Sequence, residues 1–216
     1  MRKTPLIPGE FYHIYNRGTE KRNIFLNRND VDRFSKSMTE FNGLEPIGSI
    51  YENSFNNTPL GSPTSKLKLV HIICYCLNPN HYHFILEQIA NKGIEKFMHR
   101  LATGYTKYFN EKYKRSGALF QGRFKSSHID SNDYLLHASA YVNLNYRAHG
   151  LGSPTSKLIR SSWEEYTENR VGICKTEPIL GQFNTIGEYK TFAHDALELT
   201  LERKTHEKEL ADLLFE

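Results

Sequence analysis

The chain has 216 residues, enough for one large domain with its own core, and it is mildly basic, with 28 Lys and Arg against 24 Asp and Glu. That balance permits a nucleic-acid partner without requiring one. Three cysteines are too few for a disulfide-stapled secreted domain, and neither a signal-like apolar core nor a membrane-spanning run is present, so we expect a cytoplasmic protein.

Apolar periodicity predicts six strands and helices in the first 130 residues. They are a strand at 10–17, a helix capped by Asn29 or Asp30 and ending near 43, strands at 69–77 and 81–88, a helix with an apolar stripe from Ile94 to Phe109, and a strand through Ile129. This order is that of the α+β, ferredoxin-like split βαβ sandwich. In that fold the sheet is antiparallel, both helices pack on one face, and the other face is open.

A further helix is expected from Asn132 or Asp133 to about 147, followed by short helical patterns, the last at 188–215. The open face of the sheet is free for a ligand, a partner or this added helix. We therefore divide the chain into a domain at 1–150, to which this helix belongs, and a helical C-terminal extension at 151–216.

The segment Leu-Gly-Ser-Pro-Thr-Ser-Lys-Leu occurs twice, at 60–67 and at 151–158. The two copies are too short and too far apart for a solenoid repeat. Each lies at a joint between predicted elements, where insertions are tolerated. A short DNA element inserted twice into the gene explains the identity, and a ligand loop used twice is the alternative.

Two histidines, His81 and His83, flank one residue of the predicted strand at 81–88. Side chains alternate along a strand, so both imidazoles project from one face and Tyr82 from the other. Neutral imidazole is a common metal ligand, and the pair could share one divalent cation. The alternative is that one histidine is buried and hydrogen-bonded while the other is solvated.

Tyr141 and Asn145 are four residues apart on the added helix, so they project from the same side of it. If that helix covers the open face of the sheet, Tyr141 approaches His81 and His83. Two imidazoles, an amide oxygen and a tyrosine hydroxyl suit phosphoryl transfer. A metal would polarise the phosphate, and the tyrosine oxygen would attack it and keep it covalently.

Basic side chains, aromatics and glycines interleave between 112 and 126. This mixture is typical of surfaces that bind phosphates and stack bases, although a solvated helix end would look similar. The residues expected to line a DNA strand are Arg17, Lys112, Lys114, Arg115, Arg123 and Lys125.

The segments at 77–85, 117–126 and 141–145, in this order, resemble the HUH single-tyrosine transposases of the insertion-sequence type, and most of all the REP-associated tyrosine transposases. The pattern of histidine, bulky residue and histidine at 81–83 is the HUH motif itself. The resemblance extends over roughly residues 8 to 192. It places the catalytic tyrosine on Tyr141 and metal ligands on His81, His83 and Asn145.

The resemblance implies an endonuclease and strand transferase that uses Mg²⁺ or Mn²⁺ and no nucleotide cofactor. Such enzymes cut single-stranded DNA beside hairpin or palindromic repeats and form a 5′-phosphotyrosine bond. It also implies a nucleoid-associated protein, and it leaves a homodimer open. Two departures from the family are the longer loop at 43–67 and Tyr146, where relatives often have proline.

Two other functions compete with this one. A replication-initiator-like nickase would use the same chemistry on an origin instead of dispersed palindromes. A DNA-binding, domesticated transposase would have lost strand transfer altogether. The presence of His81, His83 and Tyr141 together argues against that loss.

Overall fold

The computed structural model describes residues 5–48, 50, 67–151, 157–168 and 170–214, with side chains up to residue 203. Its strands there are β1 Phe11–Arg17, β2 Val70–Asn78, β3 His81–Gln88, β4 Lys125–Ile129 and β5 Arg160–Ser161. Its helices there are α1 Arg28–Glu40, α2 Gly93–Lys112, α3 Asn132–Asn143, α4 Asn145–Ala148, α5 Trp163–Thr167, α6 Glu177–Leu180 and α7 Ile186–Leu214, with a 3-10 turn at Thr19–Lys21. No helix within these ranges is long and apolar enough to cross a bilayer.

Two features of the sequence lie mostly outside the described residues. They are the duplicated segment at 60–67 and 151–158 and most of the predicted loop at 43–67. The two explanations of the duplication therefore both stay open.

The sheet has five strands in the order β4-β1-β3-β2-β5, and every neighbouring pair is antiparallel. In the first four strands, β3 lies between β1 and β2, which is the arrangement of a split βαβ unit. The predicted α+β fold class is confirmed. The short edge strand β5 beside β2 was not predicted, because two residues carry no readable periodicity.

Each face of the sheet has its own hydrophobic core. Tyr12, Ile14 and Phe84 point to the face that α1 and α2 cover. Cys74, Cys76 and Ile85 point to the opposite face, where α3 and α7 pack. The helix that carries Tyr141 therefore covers the face of the sheet that α1 and α2 leave open, which meets the condition for Tyr141 to approach the histidines.

Residues on both sides of the predicted domain boundary share the second core. Tyr166, Ile179 and Tyr189 are fully buried there together with Val142 and Leu144 of the Tyr141 region. The hydroxyl of Tyr166 also donates to the Ile73 carbonyl of β2 at 2.9 Å. The division at residue 150 stays a prediction, but the extension supplies part of the layer that holds α3 against the sheet.

Two helices are capped one to three residues before the predicted cap residues. Asn27 caps α1, because its side chain accepts from Asp30 N–H while the Asp30 carboxylate accepts from Asn27 N–H. Ser131 caps α3, with an extended backbone and its hydroxyl accepting from Tyr134 N–H. The predicted caps were wrong because Asn, Asp and Ser cluster at both starts, and only the backbone conformation selects among them.

The helix that carries Tyr141 is shorter than predicted. α3 ends at Asn143, Leu144 leaves the helical conformation at φ −105° and ψ 13°, and a single turn, α4, begins at Asn145. Tyr146, where relatives often have proline, is fully buried, and its backbone hydrogen-bonds the Cys76 thiol of β2. Because the helix breaks at Leu144, α4 turns toward the sheet and brings Asn145, its first residue, close to β2.

A buried carboxylate ties α1 to the end of α2. The side chain of Asp30 is fully buried and accepts from Lys112 Nζ at 2.6 Å, from Tyr113 Oη at 2.7 Å and from Leu26 N–H at 2.8 Å. Burial alone would raise the pKa of Asp30, but the hydrogen bonds and the Lys112 charge outweigh it and lower that pKa. Lys112, a predicted DNA contact, therefore has its ammonium group already paired within the fold.

We expect Asp30→Ala to lower the free energy of unfolding by about 3 kcal/mol, because it strips the cap of α1 and leaves buried donors unpaired. Because the folded pKa of Asp30 is lowered, its contribution is complete above the ordinary value of 3.8 and is lost as pH falls through the folded value. Urea unfolding at pH 7 measures the first effect. Asp32→Ala is the matched control, since its half-exposed carboxylate on the same helix should cost under about 1 kcal/mol. Equal losses in the two variants would contradict this account.

Candidate active site

A cleft of about 480 Å³ opens on the sheet face that α3 covers. It is lined by His81 and His83 from β3, by Tyr141 from α3, and by Tyr15 and Arg17 from β1. The pairing of β1 with β3 explains why residues of these two strands lie together in the cleft. Tyr15 is directly opposite His83, and Arg17 is directly opposite His81.

The turn before His81 is held by backbone hydrogen bonds to the segment that follows β1. The Gly18 N–H donates to the Asn80 carbonyl at 2.8 Å, and the Pro79 carbonyl accepts from Ile24 N–H at 2.7 Å. A side chain at Gly18 would collide with the Arg22 carbonyl, since a Cβ there would lie 2.2 Å from its oxygen. Gly18 thus permits the tight turn that places this segment against Pro79 and Asn80.

His81 and His83 project from the same face of β3, as predicted. Their ring centroids are 5.3 Å apart and the rings are perpendicular, and Tyr82 between them is buried on the opposite face. The pKa of His81 is lowered to about 4, chiefly by burial; the hydrogen bond to Asn145 opposes this, and the nearby His149 and Arg17 charges add to it. His81 is therefore neutral at pH 7, which is the form that binds a metal.

The two ring nitrogens of His81 have different partners. Nδ1 lies 2.6 Å from Asn80 Oδ1, which can only accept, so Nδ1 carries the proton. Nε2 then has a lone pair, and it lies 2.9 Å from the Asn78 amide nitrogen and 3.1 Å from Asn145 Oδ1. Nε2 of His81 and the side-chain oxygen of Asn145 therefore both face the Asn78 amide nitrogen.

Asn78 places an electropositive group between those two acceptors. Its amide nitrogen donates to Asn145 Oδ1 at 2.7 Å and to His81 Nε2. Asn145 is fully buried, and its own amide nitrogen is a buried donor without a partner among the described residues. A buried pair of acceptors that converge on one N–H₂ group is suited to a cation.

The spacing of two of these donors fits an octahedral divalent ion. Neighbouring ligands in an octahedral shell of Mg²⁺ are about 3 Å apart, since the bonds are about 2.1 Å long and at right angles. His81 Nε2 and Asn145 Oδ1 are 3.1 Å apart. The described residues hold no group of three His, Cys, Asp or Glu side chains that could bind a metal. The role of Asn145 as a third ligand stays a prediction.

Tyr141 is half-buried on α3, and its ring makes edge-on contacts with two histidines. Its ring centroid is 5.8 Å from that of His83 and 6.2 Å from that of His13, both in edge-on geometry. Among the described residues, the tyrosines that line the cleft are Tyr141 and Tyr15. The sequence did not single out Tyr15, which stacks on His83 at 5.7 Å.

Other tyrosines are excluded from the site by their positions. Tyr82, Tyr105 and Tyr146 are fully buried, and the hydroxyl of Tyr105 donates to the Ile24 carbonyl at 2.6 Å. Tyr134 lies at the start of α3, 39% exposed, and does not line the cleft. These positions agree with the choice of Tyr141 made from the sequence.

The predicted DNA-binding residues fall into two groups. Arg17 and Lys125 line the cleft, and the Lys125 ammonium lies 6.0 Å above the Tyr15 ring. Lys112, Lys114, Arg115 and Arg123 do not line it. Arg115 donates to Asn110 Oδ1 and to the Ala118 carbonyl, and it so fastens the segment after α2. Contacts of this second group with DNA stay a prediction.

Sequence reasoning missed Tyr15, Lys21 and His149, which line the cleft. It also missed His13 and Asn78, which hydrogen-bond His83 and His81. A usable signal was present in β1, where His13, Tyr15 and Arg17 alternate with buried Tyr12 and Ile14. Alternation shows that these side chains share a face, but not that the face is the one with His81. That depends on which strand pairs with β1, and in which register.

Comparison with known proteins supports the resemblance seen in the motifs. Residues 61–145 match the family model described as "Transposase IS200 like". No curated protein sequence matches the chain significantly. A solved structure described as the REP-associated tyrosine transposase bound to a REP hairpin has the same fold, with a TM-score of 0.51 and 12% identity, over 79% of this chain and 86% of that one. The predicted resemblance is thereby confirmed: residues 61–145 are similar to IS200-like transposases, and the chain shares the fold of the solved REP-associated tyrosine transposase.

Proposed function

We propose that this protein cleaves and rejoins single-stranded DNA beside hairpin sites through a 5′-phosphotyrosine bond to Tyr141. The observation that carries the proposal is that Tyr141, His81 and His83 line one cleft, with the buried Asn145 oxygen 3.1 Å from His81 Nε2. A tyrosine hydroxyl beside two imidazoles and a buried amide oxygen is suited to phosphoryl transfer. The hairpin in the solved relative suggests the class of substrate.

The covalent step conserves bond energy. Tyr141 Oη bonds to the phosphorus, the bond from phosphorus to the 3′ oxygen of the preceding nucleotide breaks, and that oxygen leaves with a proton. The hydroxyl proton of Tyr141 is lost on attack. A different 3′-hydroxyl can then reverse the step and rejoin the strand, which is why no nucleotide cofactor is needed.

His81, His83 and Asn145 would hold the Mg²⁺ or Mn²⁺ that the family implies. When bound, the metal would supply Lewis-acid polarisation of the phosphate. His81 stays neutral because burial lowers its pKa to about 4. Its ring is oriented by Asn80, and the Asn145 oxygen is held in place by Asn78. Arg17 and Lys125 place positive charge beside the cleft for the DNA backbone.

Covalent trapping tests the proposal as a whole. The full chain is incubated with 5′- and 3′-labelled single-stranded hairpin oligonucleotides, with Mg²⁺, with Mn²⁺ or with EDTA, and separated on a denaturing gel. We expect a protein-linked product carrying the 3′-side fragment, formed with metal and absent with EDTA. A free cut without any adduct, or an equal yield in EDTA, would contradict the proposal.

The replication-initiator-like nickase uses the same site, so only the substrate separates it from a transposase. A panel that contains dispersed palindromic hairpins and plasmid or phage origins makes the comparison. We expect cleavage beside the palindromes. The homodimer that the resemblance leaves open stays a prediction.

The DNA path can be tested by its salt dependence. Each phosphate neutralised on a single strand contributes about 0.7 to the slope of log affinity against log salt. We expect Arg17→Ala with Lys125→Ala to reduce that slope by about 1.4, measured by fluorescence anisotropy on a labelled hairpin. Lys112→Ala gives the contrast, because its ammonium is paired with Asp30. If Lys112→Ala lowers the slope by about 0.7, the strand also follows 112–115.

A further inference from the structure

His13 of β1 makes a direct hydrogen bond to one of the proposed metal ligands. Its Nε2 lies 2.8 Å from His83 Nδ1, and the two rings are stacked with centroids 5.1 Å apart. His13 is opposite Ile85 in the β1–β3 register, so it reaches His83 diagonally across the strands. The Tyr15 ring also packs against the His13 ring, with the two centroids 5.1 Å apart.

A hydrogen bond between two neutral imidazoles needs one donor and one acceptor. If His83 Nδ1 carries the proton, His13 Nε2 accepts it and His83 Nε2 has a lone pair. If His13 Nε2 carries the proton instead, the proton of neutral His83 must sit on Nε2. Because Nδ1 of His83 faces His13, Nε2 is the nitrogen through which His83 can bind a metal. Only the first arrangement is compatible with that.

We propose that His13 is a positioning residue that accepts the Nδ1 proton of His83 and so fixes the ring orientation and the tautomer that metal binding requires. The proposal rests on the proposed function of this cleft. Histidine ligands almost always donate their second ring N–H to such a partner. Asn80 holds Nδ1–H of His81 in the same way, so each proposed histidine ligand has its own acceptor.

The choice of a histidine as acceptor suits a site for nucleic acid. A carboxylate is the common partner for a ligating histidine, but here it would put negative charge beside the incoming phosphodiester. An imidazole can accept a hydrogen bond only in its neutral form, so His13 as an acceptor orients His83 without placing negative charge beside the DNA.

Manganese binding by the full chain tests the proposal without an activity measurement. We expect His13→Phe, which keeps a flat ring but cannot accept, to bind Mn²⁺ 10- to 100-fold more weakly by isothermal titration calorimetry. His13→Gln, whose amide oxygen can accept, should recover most of that loss. The matched control is His128→Phe, which removes an imidazole of β4 that contacts Tyr12 and Glu10 away from the cleft.

A measurement on the unaltered protein keeps the test decisive if His13→Phe folds poorly. Long-range ¹H–¹⁵N spectra distinguish protonated from unprotonated ring nitrogens. With Mg²⁺ added, we expect His83 to be protonated at Nδ1. A proton on His83 Nε2, or wild-type Mn²⁺ affinity in a folded His13→Phe variant, would overturn the role of His13. Failure of the wild-type chain itself to bind Mn²⁺ would instead overturn the metal site of the proposed function.

Discussion

Tyr141→Phe should form no covalent DNA–protein adduct and no cleaved strand, a loss of at least about 10³-fold, while it still binds hairpin DNA and Mn²⁺. The variant loses one hydroxyl group, and the ring keeps its edge-on contacts with His83 and His13. The fold should therefore hold. Trapping on labelled oligonucleotide measures the adduct, and anisotropy on the same oligonucleotide measures binding.

The structure supplies a matched control that the sequence did not suggest. Tyr15 also lines the cleft, and it stacks on His83 with the rings nearly parallel. Tyr15→Phe removes a hydroxyl from the same cleft and should keep the adduct. An adduct that survives in Tyr141→Phe and disappears in Tyr15→Phe would move the nucleophile from α3 to β1. Loss in both variants would show that two hydroxyls of the cleft are needed.

His81→Ala combined with His83→Ala should abolish Mn²⁺ binding and strand cleavage together. Removing a residue that only hydrogen-bonds a metal ligand typically lowers metal affinity roughly 10- to 100-fold. The loss here should be larger, because two proposed ligands themselves are removed. Calorimetry measures the binding, and the trapping assay measures cleavage. Hairpin affinity without metal should change little, since the positive charges of Arg17 and Lys125 remain.

His71→Ala is the control for this double variant. Its imidazole lies on β2 near the other end of the sheet, where it contacts Glu87 at 2.8 Å. It should bind Mn²⁺ as the wild type does. If the double variant still binds Mn²⁺ tightly at one site, the cleft is not the metal site, and the convergence of His81 and Asn145 would need another explanation.

The sequence by itself determined the features that depend on local periodicity. Alternation along β3 places His81 and His83 on one face and Tyr82 on the other, and the structure has them so. The order of the strands and helices determined the split βαβ sheet, because only a few topologies suit that order. The stripe from Ile94 to Phe109 determined that α2 packs on the core.

Only the tertiary structure decided which distant residues complete the site. His13, Tyr15 and Arg17 reach the histidines because β1 pairs with β3 in one register, and a shift of one residue would have turned them to the other face. Asn145 meets His81 because the helix breaks at Leu144 and α4 turns toward β2. Lys112 looked like a free cation in the sequence, but the buried Asp30 from 82 residues earlier pairs with it. Such contacts depend on strand register and helix packing, which local sequence patterns do not encode.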